Sequence, residues 1–393
     1  MIRQAALYLA DAEDVRPARL SVAGRPVAFR TILAAIRAGA HRVAVPAALR
    51  STDLDAALAT SPSARAALVW LDAGEGLADE PTLILPVAAL APAPALARLL
   101  QEPPGRVLAE SQSGDAPVLT ADPSLLTVLR PALMTGAPLS RTLSHEVKAR
   151  GLAPVAGGRA FVRITGQADA GEAERRLWSD LGSPIDSRLD IVLHRRISKG
   201  VTRVAVALGI PPNPITVASG ILGLAAAAFV AHGATGALLG GLLFYLAAVV
   251  LDHTDGEVAR LTLTESVIGE WLDITVDTVV HAALVLALGV AATRVSGVGL
   301  VAGVIAAAGV VASGAVGKLW PPAPATASER GLLDPLTSRD GFYAMLLLFL
   351  ALRLMAPAWL PWLMLVVAIG THAYWLARVA LSLRRGPRGE RRP

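Results

Sequence analysis

The sequence predicts an α-helical membrane domain of six spans behind a soluble α/β domain. Three observations carry this. No Asp, Glu, Lys or Arg occurs from 204 to 251, and a bilayer crossing takes about 20 apolar residues, so this stretch alone holds two spans. Further uncharged runs cover 278–293, 295–317, 341–352 and 354–377. Residues 1–200, by contrast, mix charged and apolar side chains as a soluble domain does. A soluble protein with buried core helices is the competing class. Core helices seldom exceed ~14 uninterrupted apolar residues, which weighs against it.

Residues 1–165 read as alternating strands and helices. ALYLA, HRVAVP, AALVWL and TLILPV are apolar runs of strand length, and PVAFRTILAAIRAGA and STDLDAALAT lie between them with helical spacing. Strands alternating with helices predict a mostly parallel sheet. The N-terminus reaches Asp11 and Glu13 too soon to hold the apolar core of a signal peptide, so this domain is expected to stay in the cytoplasm. The absence of cysteine excludes disulfides and thiolate metal sites.

Residues 166–212 are expected to be a linker and a juxtamembrane helix. DAGEAERRLWSDLG reads as helical. Beyond it Arg188, His194, Arg195, Arg196, Lys199 and Arg203 interleave with Leu189, Ile191, Leu193, Ile197 and Val201. That pattern is an amphipathic, cationic helix suited to an anionic cytoplasmic leaflet. Prolines 211, 212 and 214 end it.

The membrane domain, 213–383, divides into spans at 214–232, 236–253, 266–291, 295–317, 341–356 and 358–379. A short outer turn falls at 233–235 and a Pro-rich polar loop at 318–340. An even number of spans puts both termini on one side. The basic pre-helix, Lys318, Arg330, Arg339 and the tail then lie in the cytoplasm, with Arg294 and Arg353 on or near the outer side. In the tail, 384–393, Arg384, Arg385, Arg388, Arg391 and Arg392 read as a topology signal rather than a nucleic-acid contact.

The chemistry sits in LDHTDGEVARLTLTESVIGEWLDITVDTVVH. Asp252 and Asp255 are three apart, Asp273 and Asp277 four apart, so each pair shares a helical face at the cytoplasmic end of a span. Ionisable groups at membrane depth are costly and mark function by default. Four carboxylates converging in one pocket need cations to neutralise them. An all-oxygen set selects a hard ion, Mg²⁺, Mn²⁺ or Ca²⁺. Gly256 and Gly269 remove bulk where a ligand or helix approaches, and Arg260 is a fixed cation suited to phosphate.

Written out, Asp252-x2-Asp255-Gly256-x2-Ala259-Arg260-x8-Gly269-x3-Asp273-x3-Asp277 resembles the full signature of the CDP-alcohol phosphotransferase (CDP-alcohol phosphatidyltransferase) family, over roughly 183–380 and including Asn213 and Thr216. The resemblance implies a six-helix, dimeric membrane fold with a polar cavity open to the cytoplasm, in the inner membrane. It implies metal-dependent transfer of a substituted phosphate from a CDP-alcohol or CDP-diacylglycerol donor to an alcohol or polyol-phosphate acceptor, with release of CMP. Asp252, Asp255, Asp273 and Asp277 would hold Mg²⁺ or Mn²⁺, two ions in all. Asp252, Asp255, Gly256, Ala259, Arg260 and Gly269 would bind the CMP part of the donor, and Asp277 would be the general base. Arg195 or Arg196 is the candidate for an acceptor phosphate. Membrane lipids are expected partners and nucleic acid is not. A transporter with an acidic ion path is the alternative of another class, and the Asp/Gly/Arg spacing argues against it.

In the first domain, Ala23-Gly24-Arg25-Pro26 with the helix to Gly39 and HRVAVP resembles the early part of a sugar-phosphate nucleotidyltransferase. AGGRAFVRI with DAGEAERRLW resembles its junction to the membrane domain in bifunctional inositol-phosphate cytidylyltransferase/di-inositol-phosphate-phosphate synthases. Two departures stand against activity. No glycine occurs before Val22, whereas a triphosphate cradle needs close backbone approach. TLILPVAALAP carries Val87-Ala88-Ala89 where that family would place a metal-binding aspartate. The expectation is a degenerate, inactive domain. A working bifunctional enzyme that makes its own CDP-alcohol from CTP is the alternative.

Overall fold

The structure is a computed structural model that describes residues 2–72, 76–112, 115–157, 161–182, 190–319 and 339–384. It divides into two compact units, Met1–Leu181 with Leu261–Thr264, and Gly182–Arg260 with Glu265–Pro393.

The first unit runs β1 (Gln4–Tyr8), α1 (Val15–Arg19), β2 (Ser21–Val22), β3 (Arg25–Pro26), α2 (Val27–Ala38), β4 (Arg42–Pro46), α3 (Thr52–Ala59) and α4 (Pro62–Ala67). It continues with β5 (Leu68–Leu71), β6 (Thr82–Pro86), β7 (Ala89–Leu90), α5 (Ala93–Gln101), β8 (Arg106–Leu108) and β9 (Leu119–Ala121). It ends with α6 (Pro123–Thr135), α7 (Ser140–Ala149), β10 (Ala153–Val155), β11 (Val162–Arg163) and α8 (Gln167–Ser179). The main sheet has the order β10-β8-β9-β6-β1-β4-β5. Its pairings are parallel except where β9 runs against β6 and β8. All five residues of β1 are buried, because helices cover both faces of a mostly parallel sheet. Ala5 and Leu7 pack with Phe29, Ile32 and Leu96 on one face. Ala6 and Tyr8 pack with Leu126, Leu129 and Leu133 on the other.

The sequence puts the end of this domain at 165, and the structure extends it. In α8, Ala170 and Ala173 are buried against Val22, Val27 and Ile164, and Glu174 accepts a hydrogen bond from the Ala23 amide at 3.1 Å. The first unit therefore continues to Leu181. An alanine face in a charged helix is a weak burial signal, which is why 166–182 reads as linker in the sequence.

The second unit opens with a π-helical turn, Asp190–His194, that leads into α9 (Arg195–Ala207). Then come α10 (Pro212–His232), α11 (Thr235–Thr262), α12 (Val267–Ala292) and α13 (Val298–Leu319), followed by the helices Arg339–Met355 and Leu360–Arg384. Among the described residues, five segments are long and apolar enough to cross a membrane: Pro212–His232, Thr235–Thr262, Val267–Ala292, Val298–Leu319 and Pro357–Ala380. The fifth predicted span corresponds to a shorter apolar helix, Gly341–Met355. Most of the 318–340 loop, and the tail beyond Arg384, lie outside the described residues.

Helix α12 packs against α10 and α13 through small residues. A Cβ on Gly223 of α10 would lie 2.5 Å from Val280 Cγ1, and one on Gly289 of α12 would lie 2.6 Å from the Gly303 Cα of α13. Such contacts let helix backbones approach where lipid gives no hydrophobic drive for association. Gly233, in the left-handed region at φ 69°, ends α10.

Candidate active site

Helix α11 is longer than the span drawn from the sequence. It continues past 253 to Thr262, so Asp252, Asp255, Gly256, Ala259 and Arg260 all share one helix. Ser266 caps α12 by accepting from the Gly269 amide at 3.0 Å, an N-cap that starts the helix carrying Asp273 and Asp277.

The two halves of the motif meet. Carboxylate oxygens of Asp252, Asp255 and Asp273 all lie within 4.8 Å of one another. Asp255 is buried at 4% exposure, and its Oδ2 has no hydrogen-bond partner among the described residues. Thr216 of α10 acts on the same carboxylate through its side chain, and the Asp252 and Asp277 charges reach it as well. Asp277 stands one turn further along α12, where its main-chain carbonyl is 2.7 Å from His281 Nδ1.

A buried carboxylate oxygen without a hydrogen-bond donor, facing two more carboxylates, is unfavourable unless a cation completes it. The donor set is all oxygen, which suits a hard divalent ion. The residues present therefore fit the metal that the sequence predicts.

The two glycines let neighbouring groups approach closely. A Cβ on Gly256 would lie 3.2 Å from Arg260 Nη1, so the guanidinium packs over bare backbone. A Cβ on Gly269 would lie 3.1 Å from Ser266 Oγ and 3.2 Å from Asn213 Oδ1, so the start of α10 abuts the start of α12. Arg260 is exposed and Ala259 half-buried.

The basic pre-helix differs from the sequence picture. His194 and Arg195 are buried, at 0% and 8% exposure, rather than displayed on a cationic face. Arg195 Nη1 donates to Glu257 Oε1 at 2.8 Å, and Glu257 also accepts from Ser198 at 2.9 Å and Thr202 at 2.6 Å. His194 Nδ1 is 2.8 Å from Asp190 Oδ1, and His253 Nε2 is 2.7 Å from the same oxygen. Arg196 and Arg203 stay exposed beside Ile191, Val192, Ile197 and Val204. Of the two acceptor candidates, only Arg196 is therefore presented outward. Arg188 and Leu189 lie outside the described residues.

Sequence reasoning passed over Asp190, His253, Glu257, Tyr245, His281 and Tyr343. Tyr343 OH is 3.2 Å from His194 Nε2, and Tyr245 OH is 3.0 Å from His281 Nε2. A usable signal was present. His253 and Glu257 are four apart on α11, offset from the aspartates, and an ionisable pair at that depth needs partners.

In the first unit, the elements resembling a nucleotide site are closed. The loop after β1 folds onto Asp14, whose Oδ2 accepts from the Ala10 and Asp11 amides at 2.8 and 3.1 Å. Asp14 Oδ1 accepts from Arg163 at 3.1 Å. Ala23 and Gly24, at φ 47° and 75°, make the two-residue turn of the β2–β3 hairpin. Val87, Ala88 and Ala89 are buried at 0%, 0% and 1%.

No curated protein matches the chain. Residues 210–370 match the family model for CDP-alcohol phosphatidyltransferase. The match begins just before α10 and takes in the aspartates of α11 and α12 together with Asn213 and Thr216. This part of the chain is accordingly similar to the CDP-alcohol phosphatidyltransferases, a family of transferases of substituted phosphate groups.

Proposed function

We propose that the protein transfers a substituted phosphate from a CDP-alcohol to an alcohol acceptor and releases CMP, with Mg²⁺ or Mn²⁺ held by Asp252, Asp255, Asp273 and Asp277. The observation that carries this is the close triplet of carboxylates with its unpartnered Asp255 oxygen, inside the matched domain. Bound metal, two ions in this reading, would stabilise charge on the donor diphosphate and on the CMP leaving group.

The chain's own residues do the rest. Arg260, lying over Gly256, binds a donor phosphate, and Ala259 and Gly269 lie at the cytidine end. Asp277 takes the proton of the acceptor hydroxyl as that oxygen attacks phosphorus. Arg196, exposed on α9, meets an acceptor that carries a phosphate of its own. His194 and Arg195 are engaged with Asp190 and Glu257 instead.

In this reading the helix Arg339–Met355 is the sixth crossing, both termini and the site face the cytoplasm of an inner membrane, and the enzyme is a homodimer. The first unit is an inactive nucleotidyltransferase-like domain. Its loop after β1 is tied to Asp14 and its β6 end is apolar, which supports that reading over a bifunctional one. The test is a product screen by mass spectrometry on the full chain, with CDP-diacylglycerol or soluble CDP-alcohols as donors and free or phosphorylated polyols as acceptors. A phosphodiester product formed with release of CMP from one pair supports the proposal, and no product from any pair refutes it. CTP incubated with alcohol phosphates should give no CDP-alcohol.

A further inference from the structure

The segment before the first span presents buried polar residues at every fourth position: Asp190, His194, Ser198 and Thr202, exposed by 3%, 0%, 0% and 0%. A helix with that spacing shows one continuous polar stripe, here facing inward rather than toward solvent. Its targets are His253 and Glu257 on α11. Asp190 Oδ1 meets the rings of both His194 and His253, and His194 reaches on to Tyr343 of the helix Arg339–Met355. Glu257, fully buried, takes Arg195, Ser198 and Thr202. The three groups Asp190, His194 and His253 are of metal-ligating type and close together. The separations of 2.8 and 2.7 Å from one carboxylate oxygen to two ring nitrogens are hydrogen-bond lengths, so the three side chains form a bonded cluster.

These targets are interleaved with the site. His253 follows Asp252 directly, and Glu257 follows Asp255 and Gly256. Successive helix positions are about 100° apart, so α11 turns one side to the aspartate cluster and another to the juxtamembrane segment. We propose that Asp190 and Glu257 are positioning residues: two buried carboxylates that fix the rotation and depth of α11 against α9, and so hold Asp252 and Asp255 in register for the metal. This rests on the phosphotransfer reading only in taking those aspartates as metal ligands. Metal ligands tolerate only a few tenths of an ångström, and the groups behind them commonly set affinity.

The experiment measures Mn²⁺ binding by electron paramagnetic resonance on the full chain in detergent, with thermal midpoints taken in parallel. The variants are Asp190→Asn, Glu257→Gln and the double change Arg195→Met/Glu257→Met. The double change replaces the ion pair by apolar side chains of similar size and so preserves packing. The expected result is folded protein whose Mn²⁺ dissociation constant rises on the order of tenfold, with the half-saturating metal for CMP release moving in step. A purely structural role would lower the thermal midpoint and the folded yield while the folded fraction binds Mn²⁺ as wild type does. That result in the variants that fold overturns the proposal. Should wild type bind Mn²⁺ yet release no CMP from any donor, the phosphotransfer reading falls while the Mn²⁺ comparison still decides the clamp.

Discussion

Asp255→Asn is expected to make the metal-free protein more stable while removing its response to metal. The Asp255 carboxylate is buried with one oxygen unpartnered, and oxygens of Asp252 and Asp273 stand within 4.8 Å. Two unit charges at that distance repel by roughly 3.5 kcal/mol at an effective dielectric constant of about 20. The amide has nearly the same shape and removes one charge from two such pairs. Allowing for local relaxation, it should stabilise the metal-free state by on the order of 1–3 kcal/mol. A cation bound at 100 times its dissociation constant stabilises by about 2.7 kcal/mol, which the variant should forfeit. Thermal unfolding in detergent, with chelator and with saturating Mg²⁺, measures both effects. Wild type should melt lower in chelator and rise with metal, whereas Asp255→Asn should start higher and hardly move. A variant that melts below wild type in chelator, and gains as much from metal, would refute the reasoning.

Further outcomes separate the roles of neighbouring residues. Asp277→Asn should keep donor binding but lose roughly 10²–10⁴ in single-turnover rate, the usual cost of a missing general base; near wild-type turnover would assign the base elsewhere. Gly256→Ala should leave the thermal midpoint unchanged or slightly raised, since alanine is the better helix former by about 1 kcal/mol. Its Cβ would crowd the Arg260 guanidinium at 3.2 Å, so the donor KM should rise about tenfold, the equivalent of one weakened charge-assisted contact. Arg196→Ala should raise the acceptor KM more than the donor KM, as a steady-state comparison with a phosphorylated acceptor would reveal. Arg195→Ala should instead lower stability by about 3–5 kcal/mol, because Glu257 would be left buried without its counter-charge.

The longer apolar strands and the membrane helices were legible because their signals are local. TLILP and RVAVP are continuous apolar runs that became β6 and β4, and the uncharged stretches became helices, with α11 running nine residues past the expected end at 253. Strands of two or three residues, β7 to β11, carry too little pattern to read, and the reversed β9 is a choice made by the sheet. At the site, the aspartates were legible because i, i+3 and i, i+4 spacings project directly onto helix faces. That Asp252, Asp255 and Asp273 come within 4.8 Å of one another depends on how α11 and α12 pack. Within the basic stretch, the burial of His194 and Arg195 is not legible in the sequence for a physical reason. Spacing tells which side chains share a face, not which face is covered. Arg195 and Glu257 are 62 positions apart, and Asp190 and His253 are 63.

CMP release is the direct readout of phosphoryl transfer at a carboxylate-held metal. The purified full chain in detergent would be given a CDP-alcohol donor and an alcohol acceptor, and free CMP would be measured with EDTA, with Mg²⁺ and with Mn²⁺. Release should require acceptor and metal together, vanish in EDTA and return when either ion is restored, with Asp252→Asn inactive throughout. CMP release that proceeds unchanged in chelator, or that Asp252→Asn leaves intact, would contradict transfer at that metal.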